Sequence, residues 1–338
     1  MKREAKRLRV LIADDSPIVR ELLVEVLTAS PEFEVVGTAS DGDEAAVLTA
    51  RHAPDAITMD LQMPGSDGFA GIARIMAENP TPILVLSSDR EALKGFRALS
   101  LGALDLMEKP DASEMSRFAV ELPRRLRLLA SVPVIRHGRA GRAAAPKVER
   151  GRARIEAVVI GASLGGPRAL AAVLAGLPAD FSAPIAIVQH ISPGFTEGLA
   201  RWLRTETRLE VVEATDGAAL EKGRVLIAPG GVHLRLEPKR VRLEEAPPIS
   251  GFCPSVTVLF QSAAQAFGSR ACGVILTGMG RDGAEGMQAL RQAGATTLAQ
   301  DEATSAVFGM PRAAIELGVV DQVLALERIP SALVELVR

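Results

Sequence analysis

Tyrosine is absent from the 338 residues, and aromatic side chains make up only 3% of them. So few aromatic faces argue against a stacking platform for single-stranded nucleic acid. Cysteine is nearly absent: Cys253 and Cys272 are the pair, and they do not stand in a CxxC spacing. That spacing supports neither a disulfide scaffold nor a zinc site, and it suits a reducing compartment. No apolar run approaches the roughly 18 residues that span a bilayer. The basic start MKREAKRLRVLIADD meets two aspartates after an apolar run too short for a signal peptide. A formal net charge of −2 gives no global attraction to nucleic acid or anionic lipid. These absences together predict a cytoplasmic protein with no nucleic-acid partner and no membrane insertion.

The composition that remains, 48% apolar and 24% charged, is that of a globular protein, and the length predicts two domains. From 8 to 130, short apolar runs alternate with amphipathic stretches: LRVLIA, EVVGTA, DAITMD, PILVLSS and ALDLM. Runs that are apolar nearly throughout read as strands buried on both faces, hence a parallel sheet flanked by helices. Ser16 and Pro17 suit the N-cap and first position of a helix. Residues 131–154, rich in Arg, Gly, Ala and Pro, lose periodicity and read as a flexible basic linker. A second alternating region spans 155–338. Its expected strands are IEAVVIG, PIAIVQH, RLEVVEA, RVLIAP, ACGVILTG and ATTLAQ, with a hairpin of HLRLE and RVRLE and a helix over 255–267. The fold class is α/β twice over: one doubly wound domain over 1–130, then a larger, mainly parallel one over 155–338 with a small antiparallel hairpin.

In open α/β sheets, function gathers at the carboxyl ends of the strands. In the first domain those ends carry Asp14 and Asp15, Asp60, Ser87 and Lys109. Three carboxylates, a hydroxyl and an ammonium form an oxygen-rich set that suits Mg²⁺ and phosphoryl transfer to a carboxylate. Taken singly, Asp14 also reads as a cap and Lys109 as a solvated loop residue. IADDSPIVRELL, TMDLQMPGSDGF and MEKP resemble the receiver domain of two-component response regulators, over 8 to about 130. The resemblance implies a flavodoxin-like fold with Asp60 as phospho-acceptor. It implies Mg²⁺ held by Asp14, Asp15, Asp60 and the backbone carbonyl of Gln62, with Ser87 and Lys109 on the phosphoryl oxygens. It also implies a cis peptide between Lys109 and Pro110. Leu106 stands where receivers often carry a switching tyrosine or phenylalanine.

In the second domain, VVIGASLGGPRAL runs from a strand through a glycine-rich turn into a helix. This stretch has no GxGxxG spacing. Ser163 is therefore open to three readings: helix cap, part of an anion cradle, or nucleophile. A serine nucleophile needs a base and an orienting acid. Of four histidines, His52 and His137 read as background, and His233 as structural or substrate-facing. His190 ends the strand PIAIVQH; if that strand neighbours 155–161, His190 lies beside Ser163. Asp282, in GVILTGMGRDGAEG, is a candidate acid or the cap of a helix over 283–293. Asp301 and Glu302 are rivals. Glycines 278, 280 and 283 suit backbone N–H groups that approach a substrate oxygen.

GASLGGP, VQHI, APGGVHL, PSVTVLF, LTGMGRDGAEG and AQDEATSAVFGMP together resemble the catalytic domain of the chemotaxis protein-glutamate methylesterases, the CheB family. Receiver, linker and catalytic domain also occur there in this order. The resemblance implies a response regulator of chemosensory adaptation, a phosphorylation-activated serine hydrolase with no cofactor for ester hydrolysis. Ser163 is then the nucleophile, His190 the base, Asp282 its orienting acid, and the Met279 N–H part of the oxyanion hole. The implied substrates are glutamyl γ-methyl esters, and also glutamines to be deamidated, on methyl-accepting chemoreceptors. The implied phosphodonor is a chemotaxis histidine kinase. Three positions depart from the family pattern: Leu164 for threonine, Cys253 for arginine and Thr257 for aspartate. Neither Cys253 nor Thr257 is expected to touch the triad. A binding scaffold with a decayed site, or a hydrolase of another signalling protein, are the alternative readings.

Overall fold

The computed structural model describes residues 7–87, 92–111, 113–131, 154–192 and 194–338. All but the two end residues of the expected linker lie outside the described residues, as does His137. The chain divides into two compact units, Met1–Ala140 and Gly141–Arg338. No described helix is long and apolar enough to cross a membrane.

The first unit alternates β1 (Leu8–Ala13), α1 (Pro17–Thr28), β2 (Phe33–Ala39), α2 (Gly42–His52), β3 (Ala56–Asp60), α3 (Gly68–Glu78), β4 (Ile83–Ser87), α4 (Ala92–Ser100), β5 (Asp105–Glu108) and α5 (Met115–Ala130). The sheet order is β2-β1-β3-β4-β5, and every pairing is parallel. This is the flavodoxin-like doubly wound order. Each expected strand is present, with ends displaced by a residue or two. Strands β3 and β4 are buried at every position, which is why their sequences are apolar without alternation. Ser16 caps α1 by accepting from the Val19 N–H, and Pro17 opens the helix, as expected.

The second unit runs β6 (Ala157–Ala162), α6 (Gly166–Ala175), β7 (Ile185–Gln189), α7 (Thr196–Glu206), β8 (Glu210–Glu213), β9 (Arg224–Ile227), β10 (His233–Leu236), β11 (Val241–Glu244), α8 (Val256–Phe267), β12 (Ala271–Ile275), α9 (Ala284–Gln292), β13 (Thr296–Gln300), α10 (Met310–Glu316), β14 (Gln322–Leu324) and α11 (Ile329–Val337). Seven strands form one parallel sheet in the order β14-β13-β12-β6-β7-β9-β8, and β10 and β11 form the antiparallel hairpin. The edge strand β14, Gln-Val-Leu, is three residues long and carries no periodic signal, so the sequence did not announce it. Val159, Val188, Leu226, Phe260, Ile275 and Met287 lie in the core that joins helices to this sheet.

Strand order reverses around β6. The chain passes from β6 to β7 on one side, and β12 lies on the other. Crevices at such a switch point, beyond the strands' carboxyl ends, are where open α/β sheets bind ligands. Ser163 follows β6, His190 follows β7, and the 277–283 loop follows β12.

Candidate active site

Parallel pairing of β6 with β7 sets Ala162 opposite Gln189. The next residues on each strand are therefore Ser163 and His190, and the His190 N–H donates to the Ala162 carbonyl at 3.0 Å. On the other flank the Ser163 N–H donates to the Thr277 carbonyl at 3.0 Å. Ser163 is not the helix cap: Gly165, in the left-handed region, holds that position for α6. Gln189, which the sequence reading passed over, ties the two loops together. Its buried amide donates to the carbonyls of Ser163 at 2.8 Å and His190 at 2.9 Å. Gly166 makes room for it, since a Cβ there would lie 1.9 Å from Gln189 Oε1.

His190 Nε2 lies 2.9 Å from Asp282 Oδ2. Asp282 is almost wholly buried, and it caps no helix of its own. The N-cap of α9 is Gly283. Asp282 instead closes the start of α8: Oδ2 accepts from the Val256 N–H at 2.7 Å, and Oδ1 accepts from the Thr257 N–H at 3.1 Å and the Ser255 hydroxyl at 2.8 Å. A carboxylate at a helix N-terminus meets unsatisfied N–H groups and the positive end of the dipole. Burial alone would raise the Asp282 carboxyl, but bonds and charge from His190, with Thr257 and Ser255, outweigh it and lower it from 3.8 to about 2. The group is held ionised.

With Nε2 committed to Asp282, the proton-accepting nitrogen of a neutral His190 is Nδ1, because only one ring nitrogen then carries hydrogen. Nδ1 is buried and has no hydrogen-bond partner among the described residues. The Ser163 hydroxyl makes no hydrogen bond there either. Ser163 and His190 therefore stand on adjacent strand ends with no hydrogen bond closed between their side chains. Such contacts often tighten only around substrate.

The rival acids lie elsewhere. Asp301 Oδ1 accepts from the Thr304 N–H and hydroxyl, and Glu302 pairs with Arg312 at the surface. Gly278 sits against the serine, where an added Cβ would lie 2.7 Å from Ser163 Cβ. Met279 follows it with an exposed side chain, and its N–H meets no acceptor among the described residues. Thr257 departs from expectation. Its N–H bonds Asp282, and its hydroxyl accepts from the Gly283 N–H at 2.8 Å, so it does touch the candidate acid. The reason is that α8 starts where Asp282 ends. His233 is structural: Nδ1 accepts from the Ser255 N–H at 3.1 Å, and Nε2 donates to the Pro247 carbonyl at 3.1 Å. A ring also missed from the sequence, Phe252, stacks on His190 with centroids 3.9 Å apart and planes 4° from parallel.

In the first unit Lys109 Nζ lies 2.8 Å from Asp14 Oδ2 and 2.9 Å from Asp60 Oδ2. Asp14 and Asp60 are buried and Asp15 is exposed, and one carboxylate oxygen from each lies within 4.8 Å of the others. Burial raises the Asp60 carboxyl above its ordinary 3.8, against the pull of Lys109 and with the push of Asp14. Burial would lower the Lys109 ammonium, but bonds and charge from Asp14 and Asp60 leave it raised. Three carboxylates at this separation are a hard-oxygen set that fits Mg²⁺. Ser87 is buried at the end of β4, and its carbonyl accepts from the Lys109 N–H at 2.9 Å. Gln62 lies two residues beyond β3. The expected cis bond at Lys109–Pro110 is absent. The cis bond of the described residues is Cys253–Pro254, also X–Pro, the one class in which cis is cheap.

Fold and site together define a class: a flavodoxin-like unit with an acid pocket, joined to an α/β unit with serine, histidine and aspartate at one switch point. Comparison narrows the class. The family model described as CheB methylesterase matches residues 158–333, and that of the response regulator receiver domain matches 10–119. A relative from Anaeromyxobacter dehalogenans (strain 2CP-C), named protein-glutamate methylesterase/protein-glutamine glutaminase 2, is 60% identical over 98% of this chain and 97% of its own. Another from Myxococcus xanthus (strain DK1622), with the same name numbered 3, is 46% identical over 97% and 93%. The crystal structure of the Thermotoga maritima CheB methylesterase catalytic domain is similar at 42% identity and TM-score 0.53, over 54% of this chain and all of that one. The chain belongs to the CheB methylesterase family.

Proposed function

We propose that the protein is a phosphorylation-activated protein-glutamate methylesterase and protein-glutamine glutaminase that acts on methyl-accepting chemoreceptors in the cytoplasm. The observation that carries this reading is the split of His190, a residue on the strand end next to that of Ser163: Nε2 is bound to a desolvated, ionised Asp282, and Nδ1 is buried and unpartnered among the described residues.

Ser163 Oγ attacks the γ-carbonyl of a glutamyl methyl ester while its proton passes to His190 Nδ1. Asp282 keeps the opposite proton on Nε2 and offsets the charge of the imidazolium. The Met279 N–H donates to the oxyanion. Collapse of the tetrahedral intermediate returns the proton from Nδ1 to the leaving oxygen, and methanol departs. Water then gives a proton to Nδ1 and attacks the acyl-enzyme carbonyl. The second collapse reprotonates Ser163 and frees the glutamate. A glutamine amide follows the same route with ammonia leaving.

The unit over 1–130 acts as receiver, 131–154 as linker and 155–338 as catalytic domain. Asp60 accepts a phosphoryl group from a chemotaxis histidine kinase. Asp14, Asp15, Asp60 and the Gln62 carbonyl would hold Mg²⁺, which when bound neutralises charge on the transferring oxygens. Lys109 and Ser87 contact the phosphoryl group, and phosphorylation raises the activity of the catalytic domain.

Mass spectrometry of a methylated chemoreceptor fragment incubated with the purified full chain tests the substrate assignment. The expected result is loss of one methylene per ester and exchange of amide for acid at glutamine, both absent with Ser163→Ala. A receptor unchanged by the phosphorylated wild type would refute it.

A further inference from the structure

The segment that carries Phe252 is built for placement. Ile249 and Phe252 exchange both backbone hydrogen bonds, 3.0 and 2.9 Å. Between them, Ser250 and Gly251 have φ of 53° and 85°, the two positive values that a tight two-residue hairpin of type I′ requires. A serine held there is uncommon for a non-glycine residue. Three residues further on, Ser255 gives its hydroxyl to Asp282. One short arm thus reaches both the base and its acid.

We propose that Phe252 is a positioning residue for His190, an inference that rests on the catalytic reading of Ser163 and His190. Its ring lies flat on the imidazole, and the consequences are physical. Rotation of the imidazole about its side-chain axis is blocked, so Nε2 stays on Asp282 and Nδ1 stays free to act as base. One imidazole face is sealed by hydrocarbon, which keeps water off that face. A π face over a ring also favours that ring's cationic form, and the imidazolium forms as Ser163 attacks. The charged group bonded to His190 is Asp282; Phe252 and Gln189, which also adjoin it, are neutral.

The test uses the full chain and a fluorophosphonate, whose transfer to Ser163 needs the base but no receptor. Its labelling rate is followed against pH in wild type, Phe252→Tyr and Phe252→Leu. Leucine keeps most of the apolar volume without the π face. In Phe252→Leu the plateau rate should fall roughly fivefold to thirtyfold. The midpoint at which labelling turns on should move to lower pH, because the protonated ring has lost support. Tyrosine keeps the π face and should follow wild type. A Phe252→Leu profile superimposable on wild type overturns the inference, as does a midpoint that rises, which would mean that Phe252 only excludes solvent. A wild type that is not labelled at Ser163 overturns the hydrolase reading itself, a distinct failure.

Discussion

Asp282→Asn isolates what the buried charge does, because asparagine is nearly the shape of a protonated aspartate. The carboxylate accepts four hydrogen bonds, from His190, Val256, Thr257 and Ser255. An amide has one oxygen to offer and presents N–H where another acceptor stood, so at least one buried donor is left unmet. The charge effect can be sized from the carboxyl's fall from 3.8 to about 2. At 1.36 kcal/mol per pH unit this is roughly 2 kcal/mol of folding stability above the carboxylate range. A depressed folded value means that this contribution is complete above about pH 4 and is lost as pH falls through about 2. Urea unfolding of wild type and variant should therefore differ by roughly 2 kcal/mol at pH 7 and converge toward pH 2. Turnover should suffer more. The imidazolium loses its counter-charge, and if the amide nitrogen faces Nε2 the ring must move its proton to Nδ1, which removes the base. A kcat fall of roughly 10²–10⁴-fold is expected by analogy with other triads. Equal stability at pH 7 together with kcat within threefold of wild type would refute the role given to Asp282.

Gly166→Ala places a methyl on the Gln189 amide, 1.9 Å from Oε1, and should lower kcat by roughly tenfold or more with little change in KM, because Gln189 ties the loops of Ser163 and His190 together. Steady-state kinetics check it. Ser255→Ala removes one donor from Asp282 but leaves three, so stability should drop by about 1–2 kcal/mol while kcat falls only a few-fold. Lys109→Met leaves Asp14 and Asp60 buried side by side without their shared cation. Its Tm should fall, and Mg²⁺ should raise the Tm of this variant more than that of wild type, as a thermal melt with and without the ion would read.

Much of the fold was legible because parallel strands buried on both faces are written as unbroken apolar runs. LRVLIA and IAIVQ could be placed almost to the residue, and the strand ends then delivered Ser163, His190, Asp14, Asp60 and Lys109 to two sheet edges. Contacts made across the chain were hidden. That Asp282 closes α8 rather than α9 depends on how two helices meet, and a local rule assigns an aspartate before a helix to that helix. Gln189 read as one more strand residue, since its amide matters only once Gly166 passes close above it. Phe252 had no periodic signal at all. Its place is set by a two-residue turn between a hairpin and a helix. Leu106 lies buried against Gly95 of α4, where an added Cβ would meet its side chain at 2.7 Å, so the position is filled by packing and holds no aromatic ring.

The most direct test is the rate of methanol release from a methylated chemoreceptor, measured with and without a small phosphodonor and Mg²⁺. The account predicts release by wild type that the phosphodonor stimulates, release without stimulation in Asp60→Asn, and no release in Ser163→Ala. Release that persists in Ser163→Ala would contradict the nucleophile. Stimulation that persists in Asp60→Asn would contradict the control of the hydrolase by its receiver.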